Sequence, residues 1–158
     1  MIYLKLLRPK DWAKNLFLYI PLFFAGEIFN WIKVFHVFEG FVAFCCIASS
    51  IYIINDYTDK EDDKKHPEKR NRPIASGAVS PTVALTIFAI LVVAGFVTAY
   101  FINSRFLFLL ALYFFLNIGY SIKKKNIPIL DIFIIYGINI FVIKIRRYRI
   151  RCLSHLIV

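Results

Sequence analysis

Two long apolar stretches, Val34–Ile54 and Pro81–Ile102, decide what this chain can fold into. An α-helix needs about 20 residues, rising about 1.5 Å each, to cross the hydrocarbon of a bilayer, and both stretches reach that length. Pro81–Ile102 holds no charged residue, and in Val34–Ile54 the acids, bases and histidines are limited to His36 and Glu39. Three further runs, Leu16–Ile32, Phe106–Ile122 and Ile127–Ile143, sit at the lower limit of about 17 residues. All five are continuously apolar instead of alternating, which argues against transmembrane β-strands. The expected fold class is all-α, a multi-pass transmembrane helical bundle with about five helices present. Composition agrees: 59% of residues are hydrophobic and 18% aromatic, against about 45–50% apolar residues in a soluble domain. That surplus excludes a single soluble core, and 17 Phe with 9 Tyr exclude a solvated, disordered chain.

Lys and Arg set the orientation, because loops rich in them stay on the cytoplasmic side. With the N-terminus inside, Lys5, Arg8, Lys10 and Lys14 fall inside, as do Lys60, Lys64, Lys65, Lys69, Arg70, Arg72 and Lys123–Lys125. Only Lys33 and Arg105 then fall outside. The chain is expected in the cell membrane, with its N-terminus and the charged segment after Ile54 cytoplasmic. A fifth crossing breaks the pattern by placing Lys144, Arg146, Arg147, Arg149 and Arg151 outside. Residues 1–143 are accordingly expected to form one transmembrane unit, and residues 144–158 a basic tail foreign to it. An uncleaved N-terminus is expected, since no small-x-small site closes the first apolar run. The tail supplies half of the net charge of +10. No nucleic-acid partner is therefore expected, and the inner basic clusters match topology and an anionic lipid surface. Cys45 and Cys46, adjacent in an apolar run, and Cys152 in the tail make no disulfide framework.

The chemistry concentrates in the segment Asn55–Pro73, directly after the second apolar run. With about 100° between successive helical residues, Asp56, Asp59 and Asp63 fall within about 60° of one another, and Asn55, four residues before Asp59, joins them. Glu61 and Asp62 point elsewhere. Three like charges on one face repel, so a continuing helix asks for a counter-cation. Carboxylate and amide oxygens suit Mg²⁺, which keeps positions open for water and phosphate oxygens. Lys69, Arg70 and Arg72 supply donors for the phosphoryl oxygens such a metal leaves free. Pro67 and Pro73 stop the helix and turn these bases back. The alternative is a solvated juxtamembrane loop whose charges pair among themselves.

The spacing Asn55-Asp56-x-x-Asp59-x-x-x-Asp63, followed by Arg72-Pro73-Ile74-Ala75-Ser76-Gly77, resembles the first aspartate-rich motif of the UbiA superfamily of intramembrane prenyltransferases. Two further stretches look like its polyprenyl-phosphate phosphoribosyltransferase branch. One is Leu7-Arg8-Pro9-Lys10-Asp11-Trp12-Ala13-Lys14-Asn15, and the other is His66-Pro67-Glu68-Lys69. Tyr120-Ser121 with Lys125 and Leu130-Asp131 is similar to the segment that joins the fourth and fifth helices there. The resemblance covers residues 4–135. It implies a nine-helix bundle around a central cavity, with a second aspartate motif later in the chain. Residues 1–143 then correspond to the N-terminal half of that domain, and a truncated or frame-disrupted chain is the expectation.

By the same resemblance, Asp56, Asp59 and Asp63 would be catalytic ligands of Mg²⁺ on a diphosphate, with Asn55 adding an oxygen. The donor implied is phosphoribosyl diphosphate and the acceptor a polyprenyl phosphate. Arg8, Lys10 and Lys14 would join Lys69, Arg70 and Arg72 in holding phosphates, or would serve as topology anchors that snorkel to the interface. Tyr120 and Lys125 would line the cavity mouth with Asp131, or be an interfacial tyrosine and an anchoring lysine; Asp131, inside an apolar run, should face the bundle interior. His36 and Glu39 are placed to pair locally, and His66 to touch phosphate or lie exposed. Two other activities remain open. One is a prenyltransferase that takes a polyprenyl diphosphate and alkylates an aromatic or other small acceptor. The other is a catalytically inactive membrane fragment or scaffold, for which homo-oligomers are expected.

Overall fold

The computed structural model describes residues 2–122, with side-chain surroundings up to Gly119. The side chain of Tyr120, together with Lys125, Asp131, the run Ile127–Ile143 and the basic tail, lies outside the described residues. The described part is all helical. A short helix α1 (Ile2–Leu7) leads into a 3₁₀ stretch (Pro9–Tyr19) and a single turn of helix α2 (Ile20–Phe24). The long helix α3 (Trp31–Thr58) comes next, then α4 (Lys60–Lys65), a 3₁₀ turn (Lys69–Asn71), α5 (Pro81–Ile102) and α6 (Ser104–Ile122).

Helix boundaries obey local chemistry. Asn30 caps α3, its side chain accepting from the Lys33 amide at 3.3 Å. Ser80 caps α5 by accepting from the Val83 amide, and Pro81 takes the first helical position, where a missing N–H costs nothing. Asn103, in extended conformation, ends α5, and its side-chain oxygen accepts from the Arg105 amide at 2.8 Å, so α6 starts one residue later. Helices α3 and α5 are long and apolar enough to cross a membrane. α3 is 28 residues long and extends past the apolar run at both ends, which carries Asn55 and Asp56 beyond the apolar stretch.

α3 is the central element. Half of its apolar span is buried, against 11% for α5, so α5 presents most of its surface, including Ile90, Val93 and Phe101, outward. The main core joins Ala43, Phe44, Ile47 and Ile51 of α3 to Ala99 of α5 and to Leu110, Tyr113 and Phe114 of α6. Phe44 and Tyr113 rings lie 4.7 Å apart, and Phe96 meets Phe114 edge-on at 5.5 Å. Gly95 lets α5 approach α3: a Cβ there would stand 2.8 Å from Ile47 Cγ1 and 3.2 Å from the Ala43 carbonyl oxygen. Gly95→Val is therefore expected to destabilise the fold by about 1–3 kcal/mol, the range for overpacking a filled contact. Thermal unfolding in detergent measures it, and an unchanged midpoint would show that the helices are not locked at this crossing.

The run Leu16–Ile32 departs from the expected helix. It divides between the 3₁₀ stretch, α2 and a turn in which Gly26 takes φ 68°. The cause is the side-chain pattern. Trp12, Asn15 and Leu18 recur every three residues, so a helix of three residues per turn keeps all of them against α3, whereas 3.6 residues per turn would rotate them away. Asn15 and Leu18 are buried there.

Candidate active site

The N-terminal stretch runs antiparallel to α3 and is fastened to it by polar contacts. Arg8 Nη2 meets Asp56 Oδ1 at 2.6 Å, Trp12 Nε1 donates to Ser49 Oγ at 3.0 Å, and Asn15 Nδ2 donates to Cys45 Sγ at 3.2 Å. Tyr19 and Phe41 rings continue the series at 6.1 Å. The register closes because the 11-residue 3₁₀ stretch rises about 22 Å at about 2.0 Å per residue, and α3 between Phe41 and Asp56 rises about the same at about 1.5 Å per residue. Ser49 is fully buried and fully used, accepting from Trp12 and donating to the Leu7 carbonyl at 2.9 Å. Sequence reasoning places Trp12 and Asn15 within a motif but gives them no task, and it misses Ser49. The available signal is a Ser49-Ser50 pair inside an apolar helix, where small hydroxyl residues mark helix contacts.

The second half of the site comes from the loop after α4. Arg72 Nη1 lies 2.7 Å from Asp63 Oδ2 and 3.1 Å from Asp56 Oδ1, so one guanidinium ties both carboxylates together. The loop can place Arg72 because residues 73–79 are anchored. Pro73, Ile74, Ala75 and Val79 are buried, the Val79 amide donates to the Pro73 carbonyl at 2.9 Å, and Gly77 supplies the left-handed residue (φ 75°) that closes the turn. Ile74 and Val79 pack with Leu6, Ile53 and Ala84 into a small core beside the acids.

Asp56 and Asp63 are each 3% exposed at the side chain, Arg8 and Arg72 about a quarter. Two buried acids and two partly exposed guanidiniums thus neutralise one another. Arg8 is held in a left-handed conformation (φ 50°, ψ 59°), unusual for a residue with a Cβ, and its guanidinium lies 5.1 Å from the Tyr52 ring centre.

The other predicted residues are distributed around this core. Asp59 forms the joint between α3 and α4. Its amide donates to the Asn55 carbonyl and its own carbonyl accepts from the Asp63 amide, so the helical register continues through it, but among the described residues its carboxylate makes no ion pair. Asn55 Oδ1 is buried and makes no hydrogen bond among the described residues. Lys14 pairs loosely with Asp11 at 3.8 Å, while Lys10 and Arg70 are exposed and Lys69 opens the 3₁₀ turn. Exposed His66 organises that turn by accepting from the Glu68 and Lys69 amides. Glu61 pairs with Lys64, whose hydrogen bond lowers the Glu61 carboxyl from its ordinary pKa. At the far end of α3, His36 and Glu39 do pair, at 3.1 Å, and Lys33 meets Glu27 at 2.6 Å.

As a metal site the donor chemistry fits a hard, oxygen-seeking cation: Asn55 Oδ1 is an orphaned buried acceptor next to Asp56, with Asp59 and Asp63 one and two turns on. The side chains are not gathered as metal ligands. Among the described residues no three His, Cys, Asp or Glu side chains converge in an arrangement that would hold a metal ion, and the two buried carboxylates are gathered by arginines instead.

Membrane-length helices, with an acid pair at the end of one of them gripped by an N-terminal arginine and an Arg-Pro turn, define a membrane protein with a charged site at one end of its helices. Residues 16–143 match the UbiA prenyltransferase family, and the chain belongs to that family of integral membrane proteins. It is 38% identical over 136 residues to the decaprenyl-phosphate phosphoribosyltransferase of Mycolicibacterium smegmatis, covering 84% of this chain and 43% of that protein. Nodulation protein NoeC of Azorhizobium caulinodans is 32% identical over 135 residues, covering 85% of this chain and 44% of its own length. The 4-hydroxybenzoate octaprenyltransferase of Aliivibrio fischeri is 33% identical over 123 residues, 77% of this chain and 39% of that protein. The chain spans less than half the length of these relatives.

Proposed function

We propose that the chain belongs to an enzyme moving 5-phosphoribose from phosphoribosyl diphosphate to a polyprenyl phosphate, with Mg²⁺ as cofactor and the Asp56 end of α3 on the cytoplasmic side. The observation that carries the reading is the meeting of Arg8 and Arg72 on Asp56, with Arg72 also on Asp63. It joins the N-terminal stretch, the aspartate segment and the Arg-Pro turn into one charged pocket at a membrane surface. The basic loops favour the cytoplasmic side for that surface, and the phosphoribosyltransferase among the relatives favours the substrate pair.

In this reaction a phosphate oxygen of the lipid bonds to C1 of the ribose while the bond from C1 to the diphosphate breaks. The lipid phosphate is already anionic at neutral pH, so no side-chain base has to activate it. Asp56, Asp59 and Asp63 with Asn55 Oδ1 would hold Mg²⁺, which when bound stabilises the charge developing on the departing diphosphate. Arg8 and Arg72, about a quarter exposed beside the acids, offer N–H donors to phosphoryl oxygens. Lys10, Lys69 and Arg70, at or near the surface of the same end, raise the local concentration of anionic substrates, whereas Lys14 lies further along the stretch, beside the Asn15–Cys45 contact.

Membranes bearing the complete enzyme to which these residues belong, given Mg²⁺, ribose-labelled phosphoribosyl diphosphate and polyprenyl phosphate, are expected to accumulate label in the lipid extract. Absence of label there, with prenyl label passing from a polyprenyl diphosphate to a small aromatic acceptor, would replace this reading with the second one. That alternative is favoured by the octaprenyltransferase match and uses the same acids on a lipid diphosphate.

A further inference from the structure

We infer that Arg8 and Arg72 are displaceable counter-cations of the acid pair, so that divalent metal and diphosphate bind this site as a coupled pair and metal alone binds poorly. The inference rests on the metal–diphosphate reading above and concerns the order and coupling of binding, which that reading leaves open. Its basis is the crowding of one oxygen. Asp56 Oδ1 receives Arg8 Nη2 at 2.6 Å and Arg72 Nη1 at 3.1 Å, and the same Arg72 nitrogen lies 2.7 Å from Asp63 Oδ2. Both carboxylates are almost fully buried, and their charge is already matched by the two guanidiniums.

A metal ion taken up by these acids must therefore displace arginine N–H groups from their acceptors. With no new acceptor supplied, two guanidiniums remain beside an added dication in a pocket that is largely shielded from water. Both the repulsion and the unpaired donors are costly there. A diphosphate removes both costs. Its oxygens accept the released N–H groups, and its charge offsets that of the metal. Neither ligand is then well held without the other, which is a positive coupling between them. Arg72 is the group to test, because it bridges both acids, whereas Arg8 reaches Asp56 alone.

The test uses the purified chain in detergent, Mn²⁺ as a paramagnetic probe of the metal and inorganic diphosphate as the second ligand, with no turnover required. Free Mn²⁺ is tracked by electron paramagnetic resonance, and a protein-free titration subtracts the Mn²⁺ that diphosphate binds in solution. In the unsubstituted protein Mn²⁺ affinity is expected to rise at least about tenfold when diphosphate is present, within the usual range of coupling between sites. Arg72→Gln is expected to raise the affinity for Mn²⁺ alone several-fold and to shrink the coupling. Arg72→Lys, which keeps the charge but carries it one bond short of the Nη1 position that meets both acids, should fall between and guards against misfolding of the glutamine variant. Equal Mn²⁺ affinity with and without diphosphate, or a loss of Mn²⁺ affinity in Arg72→Gln, would overturn the inference while leaving the site reading intact. No Mn²⁺ binding even with diphosphate would overturn both.

Discussion

Asp56→Asn is expected to lower the proposed phosphoribosyl transfer by the complete enzyme at least about a hundredfold, the size of effect seen when one strong electrostatic group is removed from a reacting centre. Asn preserves the shape of the side chain but removes its charge, so Arg8 and Arg72 are left facing a neutral amide in a shielded pocket. Asp63→Asn is expected to act similarly, because Asp63 is as buried as Asp56 and shares Arg72 with it. Asp59→Asn tests whether the third acid of the pattern is drawn in by ligands, since by itself it makes no ion pair among the described residues; a comparable loss is expected. Asp62→Asn should be mild, because Asp62 is exposed and lies off the shared face. Rates measured alongside thermal midpoints separate lost chemistry from lost folding. Equal losses at Asp62 and Asp56 would sink the argument that one helical face defines the site.

That face is legible from spacing because helical angle is a local property. Residues at 56 and 63 return to nearly the same side after two turns, whatever packs around them. The long helices are legible for a similar reason: apolar length sets them, and the bounds Pro81–Ile102 come from a Ser-Pro start and an Asn stop that act within a few residues. Spacing does not contain the identity of the partner that crosses over. From sequence Arg8 and Arg72 read as phosphate donors, and their carboxylate contacts depend on two tertiary facts. One is the antiparallel docking of the N-terminal stretch, and the other is the anchoring of Ile74 and Val79 in the small core beside the acids. The 3₁₀ winding of the first apolar run falls between these cases. Its three-residue period in Trp12, Asn15 and Leu18 is visible in the sequence, but such long 3₁₀ stretches are uncommon enough that a helix of 3.6 residues per turn is the default expectation.

Replacing Arg8 tests whether that docking is built around the charged site or merely ends near it. Arg8→Met is expected to destabilise the protein by about 3 kcal/mol, the low end for breaking a buried ion pair, because Arg8 keeps some exposure and Arg72 still reaches Asp56. The loss has two parts that a pair of variants separates. Arg8 holds φ 50°, a conformation costing a residue with a Cβ about 1–2 kcal/mol, and Met inherits that strain without the ion pair that offsets it. Arg8→Gly loses the same pair but not the same strain, and should therefore be less destabilised than Arg8→Met by about 1 kcal/mol. Adding Asp56→Asn to Arg8→Met should cost less than the sum of the two changes, since the carboxylate that Arg8 leaves unmatched is then gone. Trp12 reports the event directly. In a Trp31→Phe background its fluorescence tracks release of the indole from Ser49, and the red shift should precede global unfolding in Arg8→Met but coincide with it in the unsubstituted protein. A midpoint unchanged by Arg8→Met would mean that Trp12, Asn15 and Leu18 dock the stretch unaided and that the left-handed turn at Arg8 carries no compensated strain. A lowered midpoint with the expected ordering of Met and Gly ties the strained turn to the acid it reaches.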